Sequence, residues 1–214
     1  MRLHILADLH FEFGAVKIPV TDADVVVLAG DVHLGREGRI WARNQFFAKP
    51  VIYVLGNHEF YRHSLPELTE TLKRETDGSN IHLLENGAVE INGYTFLGCT
   101  LWTDFRLGDD LDGSMRVAEA IMSDYGIVQF STENRRLRPC DTARLHAESV
   151  AWLRCALAKC DRARTIVVTC HRAVENRPPA GTSKPATPRS FIHIRFLGAG
   201  KGLSISHICW RDHS

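Results

Sequence analysis

Arg2-Leu3-His4-Ile5-Leu6-Ala7-Asp8-Leu9-His10 begins as an apolar run and ends on two potential metal ligands set two residues apart. The run is aliphatic and stops at a polar break, as strands buried on both faces do. Any chemistry then sits at the strand's carboxyl end. Two later runs repeat the pattern: residues 25–29 lead into Gly30-Asp31, and residues 51–55 lead into Gly56-Asn57-His58-Glu59. Helix-like segments follow the second and third runs, so the chain starts as a β-α-β-α series and belongs to a layered α/β fold.

The residue types after these strands suit one chemistry. Hydrolysis of a phosphate ester at neutral pH needs a strong nucleophile and neutralised phosphate charge, and two divalent ions ~3.5–4 Å apart supply both. Asp8 and His10, on an extended backbone, would lie on one side and chelate one ion. Asp31 has two oxygens with which to bridge two ions. Asn57 offers a neutral carbonyl oxygen, and Gly56 permits the tight turn before it. His58 is placed to meet the substrate, as proton donor to the leaving oxygen or as a stabiliser of phosphoryl charge. Glu59 would orient His58 or cap the next helix.

Asp8-Leu9-His10, Gly30-Asp31-Val32-His33 and Gly56-Asn57-His58-Glu59 together resemble the signature of the calcineurin-like metallophosphoesterase superfamily, in order and in position after strands. Gly98-Cys99-Thr100-Leu101-Trp102-Thr103-Asp104-Phe105 is similar to a stretch of a small bacterial branch of it. The resemblance covers roughly residues 1–171. It implies a four-layer α-β-β-α sandwich, two divalent ions (Mn, Fe or Zn) held by Asp8, His10, Asp31 and Asn57, and His58 as the catalytic histidine. The implied activity is hydrolysis of a small phosphate ester by metal-bound hydroxide.

The resemblance weakens toward the C-terminus. Where the branch has Thr-His-His-Ala-Pro, this chain has Thr169-Cys170-His171-Arg172-Ala173, so cysteine stands at the expected ligand position. Cys170 as thiolate suits zinc better than magnesium or manganese, and His171 would replace it after a small backbone shift. A late Gly-His-x-His is absent; His193, His207 and His213 are isolated. Residues 172–214 carry seven basic residues against two acidic and half of the eight prolines. They read as a divergent tail beyond a 1–171 domain, leaving the sandwich incomplete at its C-terminal end. Within the tail, 191–196 and 203–208 have strand-like composition. A degenerate, non-catalytic member acting as a binding or regulatory protein is the alternative function.

The remaining features bound the reading. A net charge of +1 and 24% charged residues give no basic excess of the kind that nucleic-acid binding leaves. No apolar run approaches the ~20 residues that span a bilayer, and no leader precedes residue 2, so a cytoplasmic location is expected. Six cysteines without a Cys-x-x-Cys pair suit reduced thiols, most of them in the core. Asn92-Gly93 between apolar runs favours a type I′ hairpin. Helices are expected over 36–47, from Ser64 as N-cap with Glu67 completing a capping box, over 114–124, and over 141–160 with Asp141 as cap.

Overall fold

The computed structural model describes residues 1–106, 109–130 and 133–171, together with the backbone of 193–196 and 204–209. In chain order the elements are β1 (Arg2–Leu6), β2 (Val25–Ala29), α1 (Glu37–Gln45), β3 (Val51–Val54), α2 (Leu65–Thr76), β4 (Ile81–Leu83), β5 (Gly87–Ile91) and β6 (Tyr94–Cys99). They continue with α3 (Leu111–Ile121), α4 (Ser123–Ile127), β7 (Gln129–Phe130), β8 (Arg135–Arg136), α5 (Pro139–Leu157), β9 (Thr165–Thr169), β10 (His193–Phe196) and β11 (Ser204–Cys209). One sheet has the order β11-β1-β2-β3-β4, all parallel. The other runs β10-β9-β6-β5, with only β6 and β9 parallel. The two late strands each extend one sheet.

Alternation along the strands decides the layering, because successive side chains leave opposite faces. Leu3, Ile5, Val25, Val27, Ile52 and Val54 meet Phe96, Ile166 and Val168 between the sheets. Leu6, Val26, Leu28, Val51 and Tyr53 point the other way, onto Ala42 of α1 and Leu65, Leu68 and Leu72 of α2. On the far side, Leu97, Cys99 and Val167 pack against Val150, Leu153 and Leu157 of α5. The result is a helix–sheet–sheet–helix sandwich. Among the described residues no helix is long and apolar enough to cross a membrane.

Local expectations held where short-range chemistry decides them. The Asn92-Gly93 turn joins β5 to β6 with both residues at positive φ, 54° and 74°, as a type I′ turn requires. Two caps differ. Ser64 precedes α2 but makes no side-chain cap bond, and Pro66 occupies the first turn instead. Arg138, not Asp141, is the N-cap of α5; Asp141 sits three residues in and accepts the Arg138 N–H at 2.9 Å, with Pro139 at the first helical position. The five described cysteines are free thiols, but only Cys99 and Cys170 are buried.

Candidate metal centre

β1, β2 and β3 lie side by side, so their carboxyl ends bring all three motifs together. Asp8 N donates to Gly30 O at 3.2 Å, His10 N to Asp31 O at 2.9 Å and Phe11 N to Val32 O at 3.1 Å, continuing the strand pairing into the loops. Asp8, His10 and Asp31 have φ of 48°, 45° and 53°. L-residues seldom hold this left-handed conformation, which costs roughly 1–3 kcal/mol each unless the surroundings enforce it. Asp8 and His10 therefore converge through left-handed turns rather than through extended backbone. Their Oδ1 and Nε2 are 3.8 Å apart. Ligand atoms from Asp8, His10 and Asp31 all fall within 4.8 Å of one another.

Glu59 holds this arrangement from beneath. It is fully buried, and its carboxylate accepts the N–H groups of Asp31 (3.1 Å), Val32 (2.9 Å) and Gly56 (2.8 Å) and the Tyr53 hydroxyl (2.9 Å). It neither orients the His58 ring nor caps a helix. Asp31 Oδ1 accepts the His58 N–H at 2.9 Å, and a Cβ on Gly56 would come within 2.2 Å of that oxygen, so only glycine fits there.

Two buried oxygens, Asp8 Oδ1 and Asn57 Oδ1, have no hydrogen-bond partner among the described residues. Such atoms are rare in folded proteins because each costs about 1–3 kcal/mol. Asn57 Nδ2, by contrast, is engaged with the Tyr61 hydroxyl at 3.3 Å, and Asp124 also bonds Asn57 and Tyr61. The amide is thereby oriented with its oxygen unspent. Burial, then the charges of Asp31 and Glu59, pushes the Asp8 carboxyl up to about 8. Crowded buried carboxylates with open oxygens fit a divalent cation, which would reverse that repulsion.

His58 stacks on Tyr61 with ring centroids 4.3 Å apart and meets the His10 ring edge-on at 4.2 Å. Its Nδ1 lies 2.7 Å from Glu12 Oε1, and His10 Nδ1 lies 3.2 Å from the same oxygen. Burial opposes ionisation of Glu12, but these two rings hold its carboxyl well below the usual range. Burial also lowers His58, yet the bond to Glu12 and the charge of Asp31 leave its pKa raised. Glu12, Tyr61 and Asp124 were not singled out by the sequence reading. For Glu12 the signal was present, an acid continuing the two-residue spacing Asp8-x-His10-x-Glu12.

Cys170 is fully buried, with Sγ 3.9 Å from Asp31 Oδ2, and burial followed by the charges of Asp31 and Asp8 raises the thiol pKa. His171 stacks on Trp102 at 5.6 Å and places Nδ1 3.1 Å from Thr100 O. Neither joins the triads of ligand atoms that close within 4.8 Å. The expectations on His193, His207 and His213 fall on side chains outside the described residues. Arg135 is engaged by Asp141 and Glu133.

The sequence profile described as calcineurin-like phosphoesterase matches residues 1–193. No curated protein matches the chain. Among solved structures, phosphopantetheinyl hydrolase (PptH) from Mycobacterium tuberculosis superposes with a TM-score of 0.61 at 18% identity, covering 79% of this chain and 68% of that one. At that identity the likeness shows the fold. A second crystal structure, at 10% identity and a TM-score of 0.43, covers 96% of this chain and 83% of that one. By the profile that spans its three motifs and most of its length, this chain belongs to the calcineurin-like phosphoesterases, a family of metal-dependent phosphoric ester hydrolases.

Proposed function

We propose that the chain hydrolyses a small phosphate ester at a dinuclear site built from Asp8, His10, Asp31 and Asn57, with His58 facing the substrate. The observation that carries this reading is the pair of buried, unpartnered oxygens, Asp8 Oδ1 and Asn57 Oδ1, on either side of Asp31 in the motif order. Divalent ions bound there would neutralise phosphate charge and make water acidic enough to serve as nucleophile near neutral pH.

The chain's own groups divide the rest of the work. Asp31 Oδ1 fixes the His58 backbone. His58 keeps Nδ1 on Glu12, which leaves Nε2 for the substrate, either to protonate the leaving oxygen or to stabilise phosphoryl charge. Tyr61 and Asp124 hold the Asn57 amide so that its oxygen, not its nitrogen, is offered.

The test is hydrolysis of an aryl phosphodiester with manganese, run beside Asp31→Asn and a chelator control. Turnover abolished by both is expected; turnover surviving either removes the proposal. Cysteine at position 170 favours a second reading, a degenerate member that keeps the fold and acts by binding. Metal occupancy near two ions per chain after loading would exclude that reading.

A further inference from the structure

Glu12 sits where neither the proposed ligands nor the proposed catalytic histidine requires an acid. It occupies the middle of a single 3₁₀ turn, Phe11–Phe13, whose first carbonyl, from left-handed His10, accepts the Phe13 N–H at 2.9 Å. That turn folds the Glu12 side chain back over its own neighbour. One oxygen, Oε1, then lies 3.2 Å from His10 Nδ1 and 2.7 Å from His58 Nδ1, while Oε2 is buried without a partner among the described residues.

A carboxylate only accepts, so both Nδ1 atoms must carry hydrogen; a neutral ring then has its lone pair on Nε2, which suits an ion, and a protonated ring has a second N–H there, which suits a phosphoryl oxygen. For His10, Nε2 is the atom that faces Asp8. For His58, Nε2 is the ring nitrogen left for substrate. The two rings meet edge-on at 4.2 Å, so one acceptor sets both orientations at once.

We propose that Glu12 is a positioning residue: its Oε1 holds the Nδ1–H groups of His10 and His58 together, so that the His10 Nε2 lone pair is turned toward an ion and a protonated His58 Nε2 is turned to donate to the phosphate ester. This rests on the site proposed above. Partners of this kind around metal-binding histidines are typically worth about 10–100-fold in affinity or activity. Reach, rather than charge, is the property that matters, because both bonds end on one oxygen.

Glu12→Asp keeps the charge and withdraws the oxygen by one methylene, whereas Glu12→Gln loses the charge and keeps an acceptor in place. Long-range proton–nitrogen spectra of the metal-free full chain, with 15N-labelled histidine, read the tautomers directly; His10→Asn and His58→Asn assign the two rings. Nδ1–H signatures are expected for both rings in the wild type and in E12Q, and their loss in E12D, with His146, whose Nδ1 lies 2.9 Å from the Leu101 carbonyl oxygen, unchanged as the folding control. With manganese, kcat should fall about 10–100-fold in E12D at nearly constant KM, and less in E12Q.

Unchanged tautomers in E12D would overturn the proposal, and so would loss in E12Q equal to that in E12D, which would point to charge alone. Zinc loading that moves both Nδ1 resonances to metal-bound positions would also overturn it, by making His10, Glu12 and His58 an ion site themselves. A wild-type chain without turnover would remove the hydrolase reading and leave the tautomer result standing.

Discussion

Asp31 N donates to Glu59 Oε2 at 3.1 Å, and this single bond ties the acid after β2 to the motif after β3. Gly56 N reaches the same oxygen at 2.8 Å, while Val32 N and the Tyr53 hydroxyl take the other. Glu59 thus serves as a buried acceptor for the backbone that aims Asp31; burial, then the Asp31 charge, pushes its carboxyl up to about 7, against the bonds from Val32, Gly56 and Tyr53 that favour the ionised form.

Glu59→Gln tests that support. Its amide nitrogen must replace one oxygen and face at least one backbone N–H, and each buried donor left unsatisfied costs about 1–3 kcal/mol. Urea unfolding of the metal-free chain should show a loss of that order. A midpoint equal to wild type would mean that the bonds to Asp31 and Gly56 contribute little.

Gly56→Ala should damage function and also cost stability, because the new Cβ would lie 2.7 Å from the Asp31 backbone nitrogen as well as against its carboxylate. The new Cβ would lie 2.2 Å from Asp31 Oδ1, so the carboxylate must move, and a displacement of about 1 Å at a reacting centre can cost ~100-fold in rate. Calorimetric titration with zinc should show weakened binding while far-UV circular dichroism stays native. Wild-type affinity in a folded G56A chain would detach Asp31 from the metal set.

The motifs and the first sheet were legible because each rests on local pattern: aliphatic runs ending at Asp8, Asp31 and Asn57 state both a strand and its chemical end. Positive φ at His10 is not written in any periodicity, and without it Glu12 points along the chain rather than back at two imidazoles. The α5 cap was misplaced for a similar reason. Asp141 is a good cap type, but Pro139 already marks the first helical residue, which puts the cap at Arg138. The pairing of β11 with β1 joins opposite ends of the chain, and no short-range signal specifies such a partner.

Asp141→Ala gives a stability test away from the metal centre. Asp141 accepts Arg135 through both Nη1 (2.6 Å) and Nη2 (2.9 Å), and accepts the Arg138 N–H. Burial raises its pKa, but these bonds outweigh it and leave the folded value below the ordinary one. The unfolded chain therefore binds the proton more readily. The stabilisation is complete above the ordinary carboxylate range and disappears as pH falls through the lowered folded value. Removing the Asp141 carboxylate should cost about 1–3 kcal/mol near pH 7, with the wild-type and D141A curves converging in acid. A pH-independent difference in denaturant midpoints would rule out the ionised Asp141 carboxylate as its source.

Cys170 separates ligation from packing. Its sulfur belongs to the cluster between the sheets, and a Cβ built on Gly30 would come within 2.5 Å of it, so Sγ fills space that the Gly30 turn leaves open. On this geometry Cys170→Ala should leave zinc affinity within about threefold, well short of the ~10–100-fold typical even for groups outside the ligand shell. Cys170→His, which adds an imidazole at this buried position, should destabilise by about 1–3 kcal/mol through overpacking rather than rebuild a ligand. Cobalt substitution provides the decisive reading: a thiolate-to-cobalt absorption band present in wild type and absent in C170A would make Cys170 a ligand, and would show that binding draws the proton from a thiol that burial otherwise keeps neutral.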